Sequence, residues 1–127
     1  MDATQAEKLV DSYIEAYNSF DVPSLLACLH PDVQFEHSTN GDVMVRLDGK
    51  AAFEAQATRA AAWFMERNQH VTAFRWQDEQ AEADIDYFAI TATDLPNGVK
   101  AGTTLQFSGR SVFSFRDGLI AFIQDFS

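Results

Sequence analysis

Apolar positions in the first twenty residues recur three and four apart. Ala6, Leu9, Val10, Tyr13, Ile14, Tyr17 and Phe20 form one stripe, as in a helix that buries a single face. Two capping boxes compete for its start, Thr4 with Glu7 and Asp2 with Gln5. Asn18-Ser19-Phe20-Asp21 breaks the stripe. Asp21, with Pro23 in the first turn, then caps a short second helix carrying Leu25, Leu26 and Leu29. His30-Pro31 ends that helix, because the residue before a proline is pushed out of helical geometry. Val33 to His37 alternates as a strand does, with Val33, Phe35 and His37 on one face. A turn at Gly41 leads to a short alternating edge, Val43, Val45 and Leu47, and Asp48-Gly49 is a second turn. The helical period returns from about Lys50 to about Arg67. Phe53, Ala57, Ala60, Ala61 and Phe64 are its stripe, and Trp63 lies beside it.

Beyond Arg67 the period becomes two. Strands are predicted over His70 to Gln77, Ala81 to about Thr93, Lys100 to Phe115 with a bend near Gly109, and Leu119 to Phe126. Polar or glycine-bearing turns separate them: Asp78-Glu79-Gln80, Asp94 to Gly98, and Arg116-Asp117-Gly118. Helices first and an antiparallel meander afterwards predict an α+β fold, with the helices packed on one sheet face. A strongly curved sheet covered in this way encloses a cone with one open end. Leu105, Phe107, Phe113 and Phe115 share a face and suit an aromatic-lined interior.

The 127 residues are enough for one core, so residues 1–127 are read as one domain. The eleven phenylalanines demand a wide interior or an interface to fill. The net charge of -10 argues against nucleic acid and against anionic membrane surfaces as partners. No apolar run is long enough to span a bilayer. A single cysteine, Cys28, and no signal-peptide pattern point to a soluble cytoplasmic protein. Three scattered histidines have no metal-ligand spacing, and there is no phosphate loop, so neither metal nor cofactor is expected.

Histidine and aspartate are the candidates for chemistry. His70 opens a strand that needs no imidazole for packing, and its ordinary pKa suits proton transfer. His37 ends the first strand. Asp125 shares a strand face with Ala121 and Ile123; unless a bulge turns it to solvent, burial raises its pKa. It would then orient a histidine or act as the base itself. Tyr13 and Tyr17 carry polar tips into whatever the first helix covers. Phe35, Trp63, Phe88, Phe107 and Phe113 are candidate pocket lining, with a core role as the plainer reading. Asp84 and Asp86 are read as solvated or at a dimer rim, and His30 as structural.

Several segments in this order carry a resemblance. They are Tyr13 to Asp21, Leu26 to Phe35 with His30-Pro31-Asp32-Val33, Gly49 before the long helix, and the closing hairpin Phe113 to Ile120. Together they resemble the nuclear transport factor 2-like superfamily, and within it the SnoaL-like polyketide cyclases, over nearly the whole chain. The resemblance implies a cone-shaped, cystatin-like curved sheet, a small apolar ligand in the cone, and a homodimer through the outer sheet face. Set against the ketosteroid isomerases, Tyr13 matches their tyrosine, while His37 and Ser111 stand where carboxyl groups would be. Against the limonene-epoxide hydrolases, Asp125 matches one acid, but Thr104 and Gln106 replace the other two members. The scytalone-dehydratase-like pattern fits best: Tyr17, Gln69-His70 and Arg75-Trp76 agree. Asn18 replaces an aspartate there, His37 a tyrosine, and Tyr87 lies where a second histidine would be.

The implied function is a cofactor-independent lyase or isomerase acting on an apolar cyclic carbonyl compound. His70 would remove a proton, Tyr17 or Tyr13 would hold the enolate, and Asp125 would orient or relay. The alternatives are a non-catalytic binding module of the same fold, or the small subunit of a ring-hydroxylating dioxygenase with a larger partner.

Overall fold

The computed structural model describes residues 1–127. The first stripe folds as helix α1 (Ala3–Asn18). Of its two possible starts, the earlier one forms. The Gln5 backbone donates to Asp2 Oδ1 at 2.8 Å, and the Asp2 backbone donates to Gln5 Oε1 at 3.0 Å. Helix α2 (Val22–Ala27) is capped by Asp21, whose side chain accepts from the Ser24 backbone at 3.2 Å.

Strand β1 (Leu29–Thr39) starts earlier than the alternation suggests and includes His30-Pro31. The proline is tolerated because the pairing of β1 skips from Leu29 to Gln34, so no ladder hydrogen bond is required of it. Strand β2 (Asp42–Asp48) follows as the edge. Helix α3 (Lys50–Ala61) is shorter than the pattern predicts. The chain turns at Ala62-Trp63, and the residues assigned to the helix's last turn become the start of β3 (Phe64–Gln77). Alanine favours helix only as far as Ala62. Beyond it, pairing to β4 (Gln80–Thr91), with Phe64 opposite Thr91 and Arg67 opposite Ala89, overrides local preference. Strands β5 (Thr104–Arg116) and β6 (Leu119–Phe126) complete the chain.

The six strands lie in the order β2-β1-β6-β5-β4-β3, a curved sheet that does not close. All neighbours are antiparallel except β1 and β6, which run parallel. The three helices cover the inner face. Val10, Ile14, Leu25, Leu29, Val33, Phe113, Ile120 and Ile123 form the core at its closed end. Each fully buried side chain of this size contributes about 1.5–3 kcal/mol. The Tyr13 ring meets Phe113 edge-on at 5.8 Å, and Phe35 meets Phe53 of α3 in the same way. Gly109 permits a close approach of strands: a Cβ there would lie 2.7 Å from the Phe126 carbonyl oxygen. No helix is long and apolar enough to cross a membrane.

Candidate functional site

Between the helices and the open end of the sheet lies a cavity of about 530 Å³, within the range of small-molecule pockets. Phe35, Leu47, Phe53, Trp63, Ile85 and Phe107 give it an apolar wall. Six elements contribute polar groups to its lining: α1 supplies Tyr13 and Tyr17, β1 His37, β3 Arg67 and Gln69, β4 Tyr87, β5 Ser111 and β6 Asp125.

Strand register brings three of these together. Asp125 lies opposite Ser111 on one side and His37 on the other. No bulge intervenes between Ile123 and Asp125, so the carboxyl stays on the inner face. Ser111 Oγ donates to Asp125 Oδ1 at 2.6 Å. The second carboxyl oxygen has no protein partner and opens on the cavity. Burial pushes the Asp125 pKa up, while the Ser111 hydrogen bond and the nearby His37 oppose that rise. His37 Nε2 is 3.3 Å from Thr39 Oγ1 and 3.2 Å from Ser127 Oγ.

The Tyr13 ring is buried, yet its hydroxyl meets the cavity without a protein partner. Burial, and then the charge of Asp125, push its pKa well above the ordinary value, so it stays a hydrogen-bond donor. One turn on, the Tyr17 hydroxyl is 3.2 Å from that of Tyr87, whose ring stacks on Phe107 at 4.6 Å. Burial raises the pKa of both tyrosines. Arg67 is only 4% exposed. Its Nε donates to the Tyr17 carbonyl at 2.8 Å, and its guanidinium lies 3.8 Å from the Tyr17 ring centre and 4.5 Å from that of Phe20.

Asn18 fixes this end of α1 to β3. Its Oδ1 accepts from the Gln69 backbone at 2.7 Å; its Nδ2 donates to the Gln69 carbonyl at 3.1 Å and to Asn68 Oδ1 at 2.8 Å. An aspartate could accept here but not donate, which accounts for the asparagine.

Three expected site residues lie elsewhere. His70 is exposed on the outer face, opposite Asp86, in a shallow hollow with Phe88 and Ser108. Even spacing would put His70 on the same face as Phe74 and Trp76, which pack inward. A bulge between Val71 and Ala73 breaks that parity, so Val71 and Gln69 face inward and His70 outward. His70 therefore faces neither Asp125 nor a site tyrosine. Phe88 alternates outward from Tyr87 and lies in the same outer hollow. Phe113 is core, 1% exposed and sealed behind Tyr13. The other candidates, Tyr13, Tyr17, His37, Asp125, Phe35, Trp63 and Phe107, all line the cavity. His30 sits in a separate ion-pair cluster with Asp117 and Arg116.

Arg67 was hidden by its assignment to a helix. Alternation of Arg67, Gln69 and Val71 becomes a signal only once the strand is known to begin at Phe64. Tyr87 was visible in the inward series Ala83, Ile85, Tyr87 and Ala89. No three His, Cys, Asp or Glu side chains converge as a metal-binding set.

Residues 10–123 match the family model described as the SnoaL-like domain. No curated protein sequence matches the chain. Among solved structures, a candidate polyketide cyclase from Xanthomonas campestris pv. campestris superposes with a TM-score of 0.82 at 24% identity, over 98% of this chain and 90% of that one. An LEH-like epoxide hydrolase of M. tuberculosis gives 0.77 at 17% identity, over 97% and 82% of the two chains. A protein of ketosteroid isomerase-like fold from Catenulispora acidiphila, in complex with trimethylamine, gives 0.76 at 13%, over 94% and 84%. These likenesses establish a shared fold.

Proposed function

The chain belongs to the SnoaL-like domain family, and from that premise we propose a cofactor-independent enzyme of the isomerase, cyclase or lyase type. It moves a proton at the carbon next to a carbonyl in an apolar cyclic compound. One observation carries the reading: the desolvated Asp125 carboxyl, with one oxygen free, shares the cavity with the unpartnered Tyr13 hydroxyl.

Asp125 is the base. Ser111 holds one oxygen, so the other is aimed at the substrate carbon. A raised pKa brings a carboxylate closer to the strength that proton abstraction at neutral pH requires. Tyr13 donates to the carbonyl oxygen as negative charge collects there. A fixed donor in a dry site stabilises that charge without reorganising. The apolar wall excludes water and positions the rings. After abstraction, the proton returns to a neighbouring carbon in an isomerase. In a lyase the enolate expels a leaving group, and in a cyclase it attacks a second carbonyl. His37, paired in register with Asp125, favours the ionised carboxylate. His70 has no part in this scheme.

The test is deuterium uptake from heavy water into a panel of cyclic β-dicarbonyl compounds, followed by proton NMR. The protein should accelerate exchange of at least one, and Asp125→Asn should slow it about 10²–10⁴-fold. Exchange that survives Asp125→Asn at the wild-type rate would sink the assignment. A second reading, a non-catalytic binder of an apolar ligand, draws on the apolar wall and predicts binding without exchange. The homodimer through the outer sheet face is kept in the proposal, with sedimentation velocity as its check.

A further inference from the structure

In a chain with nineteen acidic residues and nine basic ones, cations find partners readily. Arg46 pairs with Glu36, Arg75 with Glu82 and Asp84, Arg110 with Glu82, and Arg116 with Asp32. All of these arginines are substantially exposed. Arg67 is the buried one, and no carboxylate lies within 4.0 Å of it. This inverts what burial demands: a charge withdrawn from water needs a partner more than an exposed one does.

Its structural duties use only part of the side chain. Nε caps the end of α1 through the Tyr17 carbonyl, and the guanidinium face stacks against Tyr17 and Phe20. A guanidinium carries five N–H donors in a planar fork, and the Nη donors have no acceptor in the protein. No sealed side-chain nitrogen is left without a partner, so these groups keep access, and the space Arg67 lines is the cavity. Gln69 lines the cavity beside it.

We infer that the Arg67 end of the cavity binds a carboxylate of the ligand. The Nη fork matches the two oxygens of a carboxylate. Of the two arginines in the cavity lining, Arg110 already pairs with Glu82, so the single unpaired guanidinium of Arg67 in apolar surroundings suits a monoanion on a hydrophobic skeleton rather than a phosphate. Asp125 belongs to a separate pole. Asp125 stands on β6 and Arg67 on β3, the edge strand three places along the sheet. A ligand spanning the cavity would place a carboxylate at Arg67 and a carbonyl at Tyr13 and Asp125. The substrate class is thus an apolar, cyclic oxo-carboxylic acid. Only the carbonyl half of that description rests on the proton-transfer proposal; the carboxylate half rests on Arg67.

Two probes of one shape separate these halves: 2-naphthoate and its neutral counterpart 2-acetylnaphthalene, titrated by calorimetry at pH 7. The protein should bind the acid about 10–100-fold more tightly, the range for a charge-assisted bidentate contact. Arg67→Met should abolish the preference while leaving the ketone's affinity unchanged, and Arg67→Lys should retain part of it. Asp125→Asn should keep the preference even if it proves irrelevant to turnover. Should Arg67→Met fail to fold, nitrogen-15 NMR of the arginine side chains in the unaltered protein serves instead. The Arg67 resonances should move with naphthoate and not with the ketone. Equal affinity for both probes, a preference that survives Arg67→Met, or Arg67 resonances indifferent to naphthoate would overturn the carboxylate site alone. Failure of both probes to bind would remove the cavity ligand altogether, and both proposals with it.

Discussion

Two adjacent rows cross the inner face of the sheet, one residue pair apart along the same strands. The first runs Ala81, Phe113, Ile123, Phe35, Leu47. The second runs Ala83, Ser111, Asp125, His37, Val45. The first row is apolar throughout, and its centre is sealed under α1, with Phe113 and Ile123 at most 1% exposed. The second faces the cavity and holds a serine, a carboxyl and an imidazole. A shift of about 7 Å along a strand therefore separates groups that hold the fold together from groups that weaken it. Burial makes the first row favourable. The same burial, acting on Asp125, disfavours its charged form.

The contrast breaks most visibly at Phe113. Phe113→Ala should lower stability by about 3–5 kcal/mol, read from urea unfolding. A variant as stable as the parent would mean the first row is not the core. Asp125→Asn should do the opposite in the neighbouring row. The folded carboxyl titrates above its ordinary 3.8, so between the two values the folded state holds the proton more often than the unfolded chain. Asp125 thus favours the fold at acid pH, and that contribution is lost as pH rises through the raised pKa. Asp125→Asn should remove this loss, raising the melting temperature at neutral pH and flattening its pH dependence while proton exchange collapses. A melting temperature that falls at pH 7 would contradict the picture of a desolvated charge.

Tyr13→Phe sharpens the boundary between the rows. Its ring belongs to the first and its hydroxyl serves the second. Stability should change by less than about 0.5 kcal/mol, because no protein hydrogen bond is lost, while exchange slows about 10–100-fold. A large loss of stability would reveal a structural partner for the hydroxyl. His70→Ala, on the other side of the sheet, should leave both quantities unchanged, and any drop in exchange rate would restore the histidine to the chemistry.

Both rows could largely be read in the chain. Val33, Phe35 and His37 alternate without interruption, as do Ile123 and Asp125 beyond the irregularity at Ala121, so one inward residue fixes its neighbours. The first helix is equally plain, because its stripe persists from Ala6 to Tyr17. What escaped lies along β3. Its start is decided by β4, a partner that local preference does not see, and the alanine-rich helix before it masks the change of period. Its parity is then reset by the bulge after Val71. The scytalone-dehydratase resemblance, carried through that bulge, turned a surface histidine inward and left Arg67 and Gln69 unrecognised as the inward pair. Asp125 escaped this error because its register with Ser111 is unbroken.

The parallel pairing of β1 with β6 also bears on how the molecule comes together. β1 gains β2 at once through a tight hairpin, but its other edge must wait until β3, β4 and β5 have been laid down and β6 returns. Joining such distant segments loses much chain entropy before any contact rewards it, so this seam belongs among the slow steps of folding. His37 and Asp125 lie across that seam. In a refolding time course, ligand affinity should therefore emerge with the slowest phase, after most of the sheet has formed.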